Sequence, residues 1–176
     1  TDVKPVVPVT PAATFRGYVR PDGRVATRNY IGVIATVNCS ATVCRAIADR
    51  FRGEALVAFP NVDGVVALTH STGCGMDSAG EGIDVLRRTI AGYARHPNFA
   101  GMLLVGLGCE SNQMGALMLA EGLAPSNLLH TMTIQDTGGT RKCIDEGVAK
   151  VKEMLPIANR LEREEVDAGH ITIGLQ

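Results

Sequence analysis

At 176 residues the chain is long enough for one domain with a substantial core and short for two. A net charge of -1 and an aromatic fraction of 4% leave neither the basic field nor the stacking platforms that nucleic-acid binding uses. No apolar run approaches bilayer length and the first residues lack a signal-peptide h-region, so the expectation is a cytoplasmic protein with no membrane contact.

Thr1 to Thr14 carries Pro5, Pro8 and Pro11 among Val, Thr and Ala, which reads as an extended linker over 1–14 ahead of a domain over 15–176. Pro21-Asp22-Gly23 is a strong turn signal and predicts a short hairpin or arm between Phe15 and Asn29. Ile31 to Val37 is an apolar, β-branched run suited to a strand buried on both faces. Asn38-Cys39-Ser40 breaks that run; Ser40 is an expected N-cap, and Val43, Ile47 and Phe51 then form one apolar helical stripe.

Val62 to His70 predicts the second strand, and a glycine-rich segment leads into a helix marked by Ile83, Leu86, Ile90 and Tyr93, stopped at His96-Pro97-Asn98. Gly101 to Leu107 is a third strand, followed by a helix capped by Ser111 that buries Met114, Leu117 and Met118. Leu128 to Ile134 is a fourth, followed by a helix with Ile144, Val148, Val151 and Leu155 that continues past Pro156. Ile171 to Leu175 is read as a fifth. Strands alternating with helices predict a three-layer α/β fold: a mostly parallel sheet of about five strands, helices on both faces, in a Rossmann-like or flavodoxin-like variant.

Chemistry concentrates where strands end. Cys39, Cys74 and Cys109 each follow a predicted strand by a few residues, so a parallel sheet would bring all three to one rim. Adjacent strands are about 4.8 Å apart, close enough for neighbouring ends to share an ion or cluster. Soft thiolates favour iron–sulfur clusters, zinc or ferrous iron. Cysteines that pack as small hydrophobes are the competing reading. The odd count of five argues for reduced thiols, with Cys44 and Cys143 as core residues.

His70 ends the second strand and is a candidate base or ligand; His96, His130 and His170 carry no assigned role. Thr137, Gly138 and Gly139 open a helix whose amides can hold a carboxylate or phosphate, and Arg24 and Arg28 offer a carboxylate clamp. Gly106 and Gly108 open a dinucleotide fingerprint, but the third glycine position is Ser111 and no acidic residue follows at the right distance, so nicotinamide binding is disfavoured.

Asp22-Gly23-Arg24-Val25, Thr27-Arg28-Asn29-Tyr30, Thr36-Val37-Asn38-Cys39, Asn61-Val62-Asp63-Gly64, Thr69-His70, Thr72-Gly73-Cys74-Gly75, Ala94-Arg95-His96-Pro97-Asn98, Gly106-Leu107-Gly108-Cys109-Glu110 and Gln135-Asp136-Thr137-Gly138-Gly139-Thr140 together resemble the altronate dehydratase and galactarate dehydratase family. Ala26 departs from it where glycine is expected. The resemblance is to the family's second domain and implies a fragment of a longer chain, with a small β-rich domain before it and a large domain after it. It further implies an iron-dependent hydro-lyase, holding ferrous iron or an iron–sulfur cluster, that converts a sugar acid to a 2-keto-3-deoxy acid and acts as a homodimer. On that reading Cys39, Cys74 and Cys109 border or ligate the iron and His70 is the catalytic base, with Arg28, Asn38, Thr137, Gly138 and Gly139 toward the substrate. A non-catalytic dimerisation module is the alternative, as are galactarate dehydratase or sulfolactate lyase specificity.

Overall fold

The structure, a computed structural model, describes residues 13–174, so the linker expected over 1–14 falls almost wholly outside the described residues. Four parallel strands form the main sheet: β3 (Tyr30–Ala35), β4 (Gly64–Leu68), β5 (Phe99–Gly106) and β6 (Leu129–Thr133), in the order β4-β3-β5-β6. Before them come β1 (Thr14–Val19) and β2 (Val25–Ala26), and β7 (Glu164–Asp167) follows; these make a second, antiparallel sheet in the order β2-β1-β7. The helices are α1 (Ala41–Asp49), α2 (Glu81–Ala94), α3 (Met114–Ala120), the single turn α4 (Ile134–Thr137) and α5 (Thr140–Ala158).

The period-two alternation of strand side chains divides the core into two layers. From β3, Ile31, Val33 and Ala35 join Val43 and Ile47 of α1 and Val151, Met154 and Leu155 of α5. Ile34 points the other way, to Leu86 and Ile90 of α2 and Leu117 of α3. Leu103 and Val105 of β5 go to the first layer, Met102 and Leu104 to the second. Both faces of the central strands are thus covered, which is why β3 and β5 read as unbroken apolar runs. The chain grows from β3 outward to β4, then reverses to β5 and β6 beyond the other edge of β3, with α1 and α2 on opposite faces. This is the start of the flavodoxin-like order, and the β3–β5 border is its switch point.

The fifth parallel strand expected at Ile171 to Leu175 is not found. Ala168–His170 is a short 3-10 turn, Ile171 to Gly174 carry no strand, and Leu175 lies outside the described residues. Strand β7 forms earlier, from the acidic stretch Glu164-Glu165-Val166-Asp167, antiparallel to β1 with Phe15 opposite Val166. An edge strand needs only its backbone ladder and one packed side chain, and charges on it discourage further pairing. Ile173, by contrast, is left 77% exposed.

The hairpin expected around Pro21-Asp22-Gly23 is present as β1 and β2. It is fastened to the amino ends of the parallel strands by buried Arg20, which donates to Pro97 O at 2.7 Å and to Asn29 Oδ1 at 2.7 Å. Asn29, fully buried, donates in turn to Asn61 O at 2.7 Å and Ala158 O at 3.0 Å. Among the described residues no helix is long and apolar enough to cross a membrane.

Candidate functional site

β4, β3 and β5 are adjacent, and the loops leaving their carboxyl ends carry Cys74, Cys39 and Cys109 in that order across the sheet. Cys39 lies in the turn Asn38–Ser40, which stacks directly onto α1. The loops of Cys39 and Cys109 therefore flank the switch point, where open α/β sheets form their ligand crevice.

Direct contacts bind the three loops together. Asn38 N–H donates to Thr72 O at 2.8 Å. Gly73 presses on the end of β3 so closely that a Cβ there would sit 3.1 Å from both Thr36 O and Val37 Cα, with the backbone at φ +97°. Ser40 does occupy the N-cap position, but its hydroxyl makes no cap; it reaches Val37 O at 2.9 Å and Val105 O at 2.6 Å, joining the Cys39 turn to β5. Ser111, expected to cap α3, instead donates to Met76 O at 2.6 Å, while Gln113 takes the N-cap position.

All five cysteines are free, with Cys39, Cys74 and Cys109 exposed and Cys44 and Cys143 buried. The Cys39 thiol is held above its usual pKa by partial loss of water around the sulfur and then by the neighbouring Cys74 and Cys109 thiols. Among the described residues, however, no three His, Cys, Asp or Glu side chains already stand in an ion-binding arrangement. Thiolates around one tetrahedral ion at about 2.3 Å would lie roughly 3.8 Å apart. Three exposed thiols on adjacent loops are of the donor chemistry that a thiophilic ion or an iron–sulfur cluster takes. Cys44 is a core residue as expected, its thiol pushed up to about 12 by burial and then by Cys143.

His70 sits beside this rim with both ring nitrogens engaged. Nε2 faces Ala35 O at 2.9 Å and must donate, and Nδ1 accepts from Thr72 N–H at 3.3 Å, so its partners dictate the tautomer. An apolar cavity of about 310 Å³ opens next to it, lined in part by Ile34, Leu68, Thr72 and Tyr93. Asn38 is exposed, and its Oδ1 lies 3.6 Å from Cys39 Sγ. Thr137, Gly138 and Gly139 follow β6 on the same rim, but the amides of Gly138 and Gly139 are used, bonding Gln135 O at 3.0 Å and Ile134 O at 2.8 Å. Arg28 stands elsewhere: it precedes β3, at the opposite end of the sheet from the thiols, and its Nη1 donates to Thr27 O.

Further residues shape the rim. Glu110 is buried, with its carboxylate folded back onto its own loop. Arg45 of α1 reaches Thr69 Oγ1 at 2.9 Å, beside His70. Gly106 and Gly108, suggestive of a nucleotide fingerprint, leave room for neighbours: a Cβ would collide with the Glu110 carboxylate at Gly106 and meet Gln135 Oε1 at 2.6 Å at Gly108.

The sheet order and the paired helix layers define a doubly wound α/β domain with three exposed cysteines on the rim beside its switch point. Residues 17–159 match the family described as D-galactarate dehydratase/Altronate hydrolase, second domain, and the chain belongs to that family. It is 30% identical over 163 residues to an altronate dehydratase of Bacillus subtilis (strain 168), covering 93% of this chain and 32% of that protein. To an altronate dehydratase of Escherichia coli (strain K12) it is 29% identical over 159 residues, 90% of this chain and 31% of the relative. To the galactarate dehydratase (L-threo-forming) of the same strain it is 31% identical over 182 residues, 100% of this chain and 35% of the relative. The chain thus spans about a third of the length of these curated relatives.

Proposed function

We propose that the chain serves as the second domain of a hydro-lyase that removes water from a sugar acid, with altronate as substrate and 2-keto-3-deoxygluconate as product. The reading is supported by one observation above the rest: in a member of this family, three exposed cysteines on adjacent strand ends share the switch-point rim. Cys39, Cys74 and Cys109 would hold iron, as the ferrous ion or in a cluster. Bound there, iron supplies positive charge that acidifies the C–H beside the substrate carboxylate and steadies the charge that develops as it ionises.

The chain's own residues account for placement and proton movement. With Nε2–H anchored on Ala35 O, the basic lone pair of His70 is on Nδ1, where a 3.3 Å contact to Thr72 N–H is long enough for a substrate hydrogen to displace. His70 Nδ1 takes the proton from C2, the C3–O bond breaks, and the departing hydroxyl leaves as water once protonated. The enol left behind gains a proton at C3 and becomes the 2-keto acid. Asn38 offers an amide to a substrate hydroxyl, Thr137, Gly138 and Gly139 shape the neighbouring crevice wall, and Arg45 is the rim guanidinium suited to the carboxylate. Arg28, a strand length away, has no part in this arrangement.

A second reading is a non-catalytic module for dimerisation, favoured by the absence, among the described residues, of a ready ion-binding triad. The test is to assay the complete dehydratase polypeptide carrying this domain, anaerobically with ferrous iron, against altronate, galactarate and sulfolactate. Formation of 2-keto-3-deoxy acid from altronate, lost together with bound iron when Cys39, Cys74 or Cys109 becomes serine, is the expected result. Full iron content and turnover in all three serine variants would leave only the module.

A further inference from the structure

We infer that Glu110 is the positioning residue of the thiol rim: its buried carboxylate holds the loops of Cys39 and Cys109 in one fixed relation, from which the thiols turn toward a thiophilic ion. This rests on the thiol-site reading above and deepens it.

Glu110 follows the exposed Cys109 yet is only 5% exposed itself. A carboxylate withdrawn from water needs donors, and those found here come from the rim. Oε1 accepts from Leu107 N–H at 3.1 Å and from the Thr36 hydroxyl at 3.2 Å, and Oε2 accepts from Gly108 N–H at 2.5 Å. Among the described residues no Lys or Arg forms an ion pair with it. Its negative charge is therefore directed at loop amides and at the end of β3. Thr36, fully buried, lies three residues before Cys39, so one carboxylate spans the switch point from the Cys109 loop to the Cys39 strand.

The surroundings are shaped to admit it. Gly106 has no side chain where the carboxylate crosses, and any Cβ there would collide with Oε1. On the far side of Cys39, the Ser40 hydroxyl reaches Val105 O at 2.6 Å, so the cysteine is held to β5 both before and after its own position. Ser111, next to Glu110, carries the same brace to the Cys74 loop through Met76 O. A carboxylate is the side chain this geometry needs. The amide nitrogen of glutamine cannot accept from Gly108 N–H, and aspartate is one methylene short.

The test uses cobalt(II) as probe on the 176-residue chain, with Glu110→Gln, Glu110→Asp and Gly106→Ala, the last expelling the carboxylate without altering it. Outer residues that orient ligands typically change metal affinity about 10- to 100-fold, and that loss is expected for all three variants. Their thiolate-to-cobalt absorption should fall to the level of Cys109→Ser, while circular dichroism keeps the wild-type helix content. In the metal-free protein, hydrogen exchange at the Leu107 and Gly108 amides should be about tenfold faster in Glu110→Gln. Wild-type cobalt affinity and absorption in Glu110→Gln and Gly106→Ala would overturn the proposal. Should the wild type itself show no thiolate absorption, the thiol-site reading fails by itself, and the brace is then decided by exchange: unchanged Leu107 and Gly108 amides would overturn it. If Glu110→Gln does not fold, Gly106→Ala decides the same question.

Discussion

Gly73→Ala is the sharpest perturbation of the rim that leaves every thiol in place. Two costs can be separated. At φ +97° an L side chain is strained, by roughly 1–2 kcal/mol. The new Cβ would also sit 3.1 Å from Thr36 O and Val37 Cα, both backbone atoms of buried residues just past the end of β3, which cannot rotate away. Overpacking of that kind adds about 1 kcal/mol or more. Gly75→Ala is the control, because its backbone is also left-handed, at φ +68°, but nothing lies within 4 Å of its Cβ position. For a domain of this size each kcal/mol lowers Tm by roughly 2–4 °C. Gly73→Ala is therefore expected to lose about 2–3 kcal/mol and roughly 4–12 °C, and Gly75→Ala about half of that. Urea unfolding at fixed m-value, alongside a thermal melt, measures both. Equal losses in the two variants would refute the claim that the Cys74 loop is wedged against the end of β3.

Two further outcomes follow from the packing. Asn29→Ala removes the buried acceptor of the Arg20 guanidinium and one donor each from Asn61 O, which keeps the Tyr18 hydroxyl, and Ala158 O, which keeps Leu161 N–H, so urea unfolding should show a loss of about 1.5–3 kcal/mol; less than 1 kcal/mol would mean that this network does not fasten the small sheet. Burial raises the Cys44 thiol from 9.0 to about 12, so the protonated thiol is the form the fold favours. Its contribution is fully present below pH 9 and is lost as pH rises toward 12, at roughly 1.4 kcal/mol per pH unit. Cys44→Ala should flatten that alkaline decline, and an unchanged slope would assign it to other groups.

The sequence revealed most of the parallel core because its signals are local. β3 is a β-branched run, α1 carries its stripe at Val43 and Ile47, and the stop at His96-Pro97-Asn98 falls just past the end of α2 at Ala94. The recurrence of cysteines after strands also showed which loops would share a rim, since parallel strands place all such loops on one side. What could not be seen depends on distant pairing. β7 joins β1 across about 150 residues and has only Val166 to mark it, while the more apolar Ile171 to Leu175 misled because hydrophobicity alone does not supply a partner strand. Arg28 is eleven residues from Cys39, yet the six-residue β3 sets them roughly 20 Å apart. Glu110 stands in the motif Gly106-Leu107-Gly108-Cys109-Glu110, but nothing in the sequence shows its carboxylate turning back, and the space that Gly106 and Gly108 leave for Glu110 and Gln135 exists only in the fold.

The central claim, that Cys39, Cys74 and Cys109 act as one ligand set, is tested most directly by X-ray absorption on the zinc-loaded chain. The account predicts three sulfur neighbours per zinc at about 2.3 Å, reduced to two when any one of these cysteines is replaced by serine and unchanged by Cys44→Ala. A shell of nitrogen and oxygen alone at about 2.0–2.1 Å, indifferent to all three serine substitutions, would contradict it.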